Sequence, residues 1–206
     1  EHIILGRTGL KVNKNGFGAL PIQRIDFQSA RRLLRRAYAN GFNFFDTSRI
    51  YTDSEEKIGY ALNDQRHMLL IATKTKASNR EEFFRDLEES LTMLRTDYVD
   101  LYQFHNVSFC PRPGDGTGLY EAMLEAKQQG KIRFIGITTH RLAVAQEIIR
   151  SGLYDTLQYP FSYLADDREI QLVRDCKRAN MGFIAMKALA GGLVSSPAAA
   201  YAFMMA

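Results

Sequence analysis

Four side chains suited to proton transfer toward a carbonyl group follow successive buried strands of this sequence. Asp46, Lys74 and His105 end three neighbouring predicted strands, and Tyr51 lies five residues beyond Asp46. Because parallel strands end at one edge of a sheet, we expect these groups to converge. A phenol with an ordinary pKa of about 10 is a poor acid at neutral pH, but an ammonium group held by a carboxylate would stabilise its phenolate. The phenol could then donate a proton to a carbonyl oxygen that the imidazole helps to hold.

Each of these side chains also has another interpretation. Lys74 and Asp46 could form a simple salt bridge at the rim, while His105 and Tyr51 could be hydrogen-bonded or packed core residues. Lys74 could instead be the Schiff-base nucleophile of a lyase or aldolase, although that role needs a lysine without a carboxylate partner, and Asp46 argues against it. Arg49 could bind an anionic substrate group or be a solvated loop charge.

Helical and strand-like segments alternate along the chain, and strand ends recur about every 30 residues, as a βαβ crossover requires. The predicted strands cover residues 15–20, 42–46, 68–74, 99–105, 132–139, 156–162 and 182–190. The predicted helices cover residues 29–40, 119–129, 141–150, 168–180 and 198–206, with two more beginning near residues 53 and 79. The strands are continuously apolar, which is typical of a parallel sheet buried on both faces.

These elements predict an α/β fold of the (β/α)8 TIM barrel type, forming a single domain over residues 1–206. No G-x-G-x-x-G run follows the first strand, which argues against the rival, a doubly wound open sheet. Residues 3–5 and 11–12 predict a hairpin at the barrel floor. The barrel is predicted only as far as strand seven, since eight units typically need about 250 residues. We therefore expect a longer native protein, or a partner or swapped segment that closes the gap.

Several local patterns predict how the helices begin and pack. The spacing of Ala30, Leu33, Leu34, Ala37 and Tyr38 predicts one buried stripe. Asp53 and Glu56 predict a capping box, and Asn79 predicts a second helix start. Gly130, Gly152 and Gly182 fall between a helix and the next strand, where a left-handed residue is useful.

Composition excludes several classes of protein. The 206 residues are 46% hydrophobic and 24% charged with a net charge of +4, which is typical of a globular chain rather than a disordered one. The surplus of basic residues is small, and these residues do not form the concentrated basic face that nucleic-acid-binding proteins usually show. Two cysteines are too few for a disulfide scaffold or a four-cysteine metal site. No apolar run approaches the roughly 20 residues of a membrane span, so we expect no membrane partner. We also expect a cytoplasmic setting and no nucleic-acid partner.

The run G-F-N-F-F-D-T-S-R-I-Y-T-D-S-E-E-K-I-G at residues 41–59 resembles a signature of the aldo-keto reductases. The runs I-A-T-K at 71–74 and D-L-Y-Q-F-H at 100–105 resemble two further signatures of that family, and the segments at 5–12 and 130–137 fit as well. The resemblance covers the whole chain. The run M-K-A-L-A-G-G at 186–192 is closer to a microbial branch that often carries a C-terminal iron–sulfur segment, which is absent here.

The resemblance implies reduction of an aldehyde or ketone by direct hydride transfer from NAD(P)H. Tyr51 would be the general acid, Lys74 and Asp46 its tuning pair, and His105 the residue that orients the carbonyl. NADP(H) is favoured over NAD(H), and no metal is expected. By the resemblance, the cofactor would contact Asp46, Thr138, Thr139, Gln158, Met186, Lys187, Ala188, Leu189 and Gly191.

One departure from the family leaves a second interpretation open. Met186 stands where the family usually places an aromatic residue that stacks on the nicotinamide, although a thioether can also pack on a ring. Together with the missing eighth strand, this departure keeps open a nucleotide-binding barrel that acts as a regulatory or scaffold subunit with little or no turnover. The identity of the carbonyl substrate and the oligomeric state do not follow from the sequence.

Overall fold

The computed structural model describes residues 1–205 and alternates strands with helices over most of that length. The strands are β1 His2–Ile4, β2 Lys11–Asn13, β3 Phe17–Gly18, β4 Phe44–Asp46, β5 Leu70–Thr75, β6 Val99–Phe104, β7 Ile132–Thr138, β8 Thr156–Pro160 and β9 Gly182–Met186. The α-helices are α1 Phe27–Ala39, α2 Ser54–Leu62, α3 Arg80–Leu94, α4 Leu119–Gln128, α5 Leu142–Ser151, α6 Asp167–Arg178 and α7 Pro197–Met205. Short 3₁₀ helices cover Gly6–Thr8, Leu20–Arg24, Asn63–Met68 and Ala190–Gly192.

The chain forms two compact units. Unit 1 comprises Glu1–Ile4, Leu10–His105 and Pro111–Ile135, and unit 2 comprises Leu5–Gly9, Asn106–Cys110 and the chain from Gly136 onward. Strands β3 to β9 follow one another in chain order in a seven-stranded sheet. Within unit 1, β3–β4, β4–β5 and β5–β6 pair in parallel, and within unit 2, β7–β8 and β8–β9 pair in parallel.

The strands of unit 1 are buried because helices cover them. All six residues of β6 are buried, and in β5 only Leu70 is partly exposed. Helix α3 directs Phe83, Leu87, Leu91 and Leu94 into the core, as its spacing predicts. Its start is confirmed as well, since the Asn79 side chain accepts a hydrogen bond from the backbone N–H of Glu82 at 3.0 Å.

Two helix predictions are wrong in detail. In α1, Ala30 and Leu34 are buried, but Leu33 is 44% exposed, so the buried stripe is narrower than its spacing predicts. Asp53 precedes α2 but its side chain makes no capping hydrogen bond. It binds the Lys57 ammonium instead, at 2.7 Å, because an ion pair with a buried lysine satisfies both charges.

Most predicted strands are longer than the observed ones. The strand predicted from Met68 begins at Leu70, because a 3₁₀ helix occupies 63–68 and leaves Met68 exposed. The strand predicted over 182–190 ends at Met186, and a loop follows it. Gly130 and Gly152 have the expected left-handed backbone, but Gly182 does not: Asn180 supplies the positive φ at that turn. Helix α7 is confirmed, while Ala206 lies outside the described residues.

The predicted N-terminal hairpin is present, with β1 and β2 antiparallel. Its turn lies in unit 2 and packs against the start of β9. Gly6, at φ +51°, lies so close to the first residue of β9 that an added Cβ would meet the backbone nitrogen of Gly182 at 2.3 Å. The Arg7 guanidinium donates to the carbonyls of Ala179 and Gly152 at 2.6 and 3.3 Å, which caps the ends of α6 and α5.

A buried carboxylate lies at the amino end of β6. Asp100 is fully buried, and its two oxygens are bound by Arg66 at 2.8 Å and Arg133 at 2.6 Å. The backbone N–H of Ile71 also donates to it, at 2.9 Å. Because two cations and one N–H satisfy this carboxylate, it ties β5, β6 and β7 together at the end opposite the candidate catalytic residues.

Candidate active site

The carboxyl ends of β4, β5 and β6 bring the predicted catalytic residues together in unit 1. Asp46 is the last residue of β4, Lys74 lies one residue before the end of β5, and His105 directly follows β6. The register of the sheet places Lys74 opposite Gln103 of β6. Since side chains two apart along a strand share a face, Gln103 and His105 point to the same side.

Lys74 and Asp46 form a close ion pair. Lys74 Nζ lies 2.6 Å from Asp46 Oδ2 and donates to the Thr47 carbonyl oxygen at 2.7 Å. The lysine side chain is 3% exposed and the aspartate side chain 14%. Gln103 Nε2 donates to the other carboxylate oxygen at 3.2 Å. The ammonium is therefore held in one position by two oxygens.

Tyr51 lies beside both Lys74 and His105. Lys74 Nζ is 5.7 Å from the centre of the Tyr51 ring, and the Tyr51 and His105 rings meet edge to face with their centroids 5.7 Å apart. The loop that carries Tyr51 is closed by backbone hydrogen bonds from Tyr51 to Ser48 and from Ser54 to Tyr51. Thr52 adopts φ +42°, an uncommon conformation for a β-branched residue, and it lies next to the candidate proton donor.

The acidity of Tyr51 differs from the sequence-based expectation. Burial raises the pKa of its phenol to about 12, and the negative charge of Asp46 contributes to the rise. The stabilisation of the phenolate expected from Lys74 is outweighed by the burial of the phenol and by the negative charge of Asp46. The protein alone therefore keeps Tyr51 protonated at neutral pH, which is the state required of a proton donor.

A second ion pair anchors the same loop. The Arg49 guanidinium binds the carboxylate of Glu55, whose side chain is 1% exposed, and Thr73 donates to that carboxylate at 2.5 Å. Burial raises the pKa of Glu55 above its usual range. Arg49 is thus not the solvated loop charge considered from the sequence, since its side chain is 17% exposed and its ion pair fixes the loop between β4 and α2. Its binding of an anionic substrate group stays a prediction.

The residues that the resemblance assigns to the cofactor lie in unit 2, apart from Asp46. Thr138 is buried at the end of β7 and Gln158 in the middle of β8, and the two stand opposite each other in the sheet register. The Thr139 hydroxyl donates to the Val107 carbonyl at 2.9 Å and accepts from the backbone N–H of Arg141 at 3.2 Å. That hydroxyl is therefore used in loop contacts, and its contact with a cofactor stays a prediction.

The loop after β9 has an irregular backbone. Lys187, Ala190, Gly191 and Gly192 all have positive φ values, and the backbone N–H groups of Ala190 and Gly192 donate to the carbonyls of Lys187 and Leu189 at 2.7 and 2.9 Å. An added Cβ at Gly191 or Gly192 would meet nothing within 4 Å. The buried hydroxyl of Thr138 and the buried amide of Gln158 fit the carboxamide of a nicotinamide cofactor, and the ammonium of Lys187 fits its pyrophosphate.

Sequence reasoning missed three residues that organise the site. Gln103 holds Asp46, the Thr47 carbonyl holds Lys74, and Ser48 Oγ lies 2.8 Å from His105 Nδ1. Gln103 carried a usable signal, since it is a polar residue inside a continuously buried strand, two positions before His105. The other two could not be found without the loop geometry.

Residues 1–205 contain no group of three or more His, Cys, Asp or Glu side chains placed to hold a metal ion. Within the same range, no helix combines the length and the apolarity needed to cross a membrane.

Comparison with known proteins gives a consistent result. The profile described as the aldo/keto reductase family matches residues 4–200. L-galactose dehydrogenase of Arabidopsis thaliana is 32% identical over 210 residues, which cover 93% of this chain and 66% of that protein. Methylglyoxal reductase DkgB of Salmonella typhi is 37% identical over 124 residues, covering 56% of this chain and 45% of that protein. The chain thus spans about two thirds of the length of the Arabidopsis relative.

Solved structures agree with the sequence relatives. The holo form of aldo-keto reductase AKR11C1 from Bacillus halodurans has a TM-score of 0.82 at 26% identity, over 94% of this chain and 68% of that chain. The seven-stranded parallel sheet with its intervening helices confirms the predicted α/β fold. It corresponds to a (β/α)8 barrel of which the described residues contain seven strands. Both comparisons and the motifs at the ends of β4, β5 and β6 lead to one conclusion: this chain belongs to the aldo/keto reductase family.

Proposed function

We propose that this protein reduces an aldehyde or ketone to an alcohol, with a hydride from NAD(P)H and a proton from Tyr51. The observation that carries the proposal is the position of Lys74, whose ammonium lies between the Asp46 carboxylate and the Thr47 carbonyl and 5.7 Å from the centre of the Tyr51 ring. Family membership supports the same reaction, and both relatives described above are named as a dehydrogenase or a reductase.

The contacts of each side chain support the role proposed for it. When bound, the cofactor supplies a hydride to the carbonyl carbon. Tyr51 donates its proton to the carbonyl oxygen, and solvent later returns a proton to the phenolate. Lys74 stabilises that phenolate as it forms, and Asp46 keeps Lys74 charged and in place. His105 donates a hydrogen bond to the carbonyl oxygen and so orients the substrate.

Binding of the cofactor is assigned to residues of β7, β8 and β9 and of the segments that follow β7 and β9. Thr138 and Gln158 would bind the carboxamide, with Thr139 beside them. Met186 would pack its thioether on the nicotinamide ring. The remaining contacts would come from the loop after β9: Lys187, Ala188, Leu189 and Gly191. We propose NADP(H) rather than NAD(H), a small-molecule carbonyl substrate and a cytoplasmic location.

The test compares parent and variant proteins with a reactive aldehyde and either NADPH or NADH. Tyr51→Phe removes the proton and keeps the ring, so we expect kcat to fall by at least about 100-fold. Tyr60→Phe is the matched control, because the Tyr60 hydroxyl lies on α2 and accepts only from Gln28 among the contacts described. Equal rates for the parent and Tyr51→Phe would show that Tyr51 is not the acid.

A nucleotide-binding subunit with little turnover is the second candidate, and Met186 in the position of the usual aromatic favours it. Quenching of protein fluorescence by NADPH separates the two candidates. Micromolar binding without aldehyde reduction would support the second, and binding with Tyr51-dependent reduction the first.

A further inference from the structure

We propose that Ser48 is a positioning residue that keeps the proton of neutral His105 on Nε2. Its effect on catalysis rests on the proposed function, whereas its effect on the imidazole does not. Ser48 is 1% exposed and lies two residues beyond Asp46. Its Oγ is 2.8 Å from His105 Nδ1, a full hydrogen-bond distance.

The direction of this hydrogen bond decides the tautomer. A hydroxyl has one proton to donate, and two groups lie within reach of Ser48 Oγ: His105 Nδ1 at 2.8 Å and the Lys74 carbonyl oxygen at 3.4 Å. The carbonyl oxygen already accepts from the backbone N–H of Arg49 at 3.0 Å. If Nδ1 carried the proton, it would donate to Ser48 Oγ, and the serine proton would be left with only the 3.4 Å contact to that carbonyl. This favours a serine proton that points to an unprotonated Nδ1. An unprotonated Nδ1 in a neutral imidazole places the proton on Nε2.

The imidazole is held in this orientation from two further sides. The backbone N–H of His105 donates to the Thr75 carbonyl at 2.8 Å, which fixes the start of the side chain. The Tyr51 ring meets the imidazole edge to face at 84°. A ring flip would replace Nδ1 with a carbon atom opposite Ser48 and lose the hydrogen bond.

One short segment therefore controls two polar groups. Asp46 and the Thr47 carbonyl hold the Lys74 ammonium, and Ser48 holds the His105 imidazole. With Nε2 protonated, His105 is a donor, as a residue that binds a carbonyl oxygen must be. With Nδ1 protonated instead, Nε2 would be an acceptor and would repel that oxygen.

The direct test is nitrogen NMR of the whole protein labelled with ¹⁵N-histidine, at a pH where His105 is neutral. The sequence contains four histidines, and His105→Gln identifies the signals of interest. In the parent protein we expect Nε2 to resonate as a protonated nitrogen and Nδ1 as an unprotonated one. Ser48→Ala should give averaged shifts of the two tautomers. Ser54→Ala, which removes a buried hydroxyl at the start of α2, should leave the His105 signals unchanged.

Kinetics provide a second readout with a separate mode of failure. We expect Ser48→Ala to lower kcat/KM for an aldehyde about tenfold, the size of one hydrogen bond, while the affinity for NADPH stays the same. Ser48→Thr keeps a hydroxyl and should restore the tautomer. A protonated Nδ1 in the parent, or unchanged shifts in Ser48→Ala, would overturn the inference. Absence of Tyr51-dependent reduction with the expected tautomer would instead overturn the proposed function.

Discussion

Replacing Asp46 with asparagine should make Tyr51 more acidic. The carboxylate raises the pKa of the phenol directly and also neutralises the Lys74 ammonium at 2.6 Å. The asparagine side chain would keep an oxygen near Lys74 but remove the negative charge. The ammonium, 5.7 Å from the ring centre, would then act on the phenolate without opposition.

The size of this effect follows from Coulomb's law. With the 5.7 Å from Lys74 Nζ to the ring centre taken as the charge separation, two unit charges interact with about 3 kcal/mol at an effective dielectric constant of about 20, which equals about 2 pKa units. We therefore expect the pKa of Tyr51 to fall from about 12 to about 10 in Asp46→Asn. The opposite substitution, Lys74→Met, leaves Asp46 unopposed and should raise the pKa of Tyr51 instead.

The assay is an NMR titration of protein labelled with ¹³C at the phenol carbon of tyrosine. Tyr51→Phe assigns one signal among the ten tyrosines, and circular dichroism confirms that each variant is folded. The reasoning predicts opposite shifts for Asp46→Asn and Lys74→Met. A Tyr51 pKa that stays near 12 or rises in Asp46→Asn would refute it, because burial alone would then set the acidity.

Two further predictions concern stability and are measured by urea unfolding. Gly6→Ala should cost at least about 2 kcal/mol, since the new Cβ would meet the Gly182 backbone at 2.3 Å; Gly9→Ala, with the same left-handed backbone but open space, should cost about 1 kcal/mol. Asp100→Asn should cost about 3 kcal/mol, because it leaves two arginines beside a buried neutral group, whereas Asp64→Asn, at an exposed ion pair, should change stability little. Equal losses of unfolding free energy in Gly6→Ala and Gly9→Ala would contradict the packing argument. Equal losses in Asp100→Asn and Asp64→Asn would contradict the charge argument.

The sequence predicted the order of the elements and the family because both depend on local patterns. Apolar runs of strand length, helical spacing and N-cap residues such as Asn79 are properties of short segments, and they place Asp46, Lys74 and His105 at strand ends. The ends of the strands were less predictable. Strand β9 ends at Met186, although apolar residues continue at 188–190.

The electrostatics of the site could not be predicted in the same way. Whether Lys74 lowers the pKa of Tyr51 depends on how closely Asp46 approaches the ammonium and how deeply the phenol is buried. Both depend on the three-dimensional arrangement of residues that are far apart in the sequence. The same holds for Arg49, whose partner Glu55 is six residues away and buried, and for the contact between Ser48 and His105.

The most direct measurement of the central claim follows the transferred atoms. NADPH carrying deuterium at the reactive nicotinamide carbon is incubated with an aldehyde and the protein, and the alcohol is examined by mass spectrometry. The account predicts one deuterium on the carbinol carbon, formed by the parent and by Tyr60→Phe and nearly abolished in Tyr51→Phe. Labelled alcohol formed equally fast by Tyr51→Phe, or no labelled alcohol from the parent with bound NADPH, would contradict it.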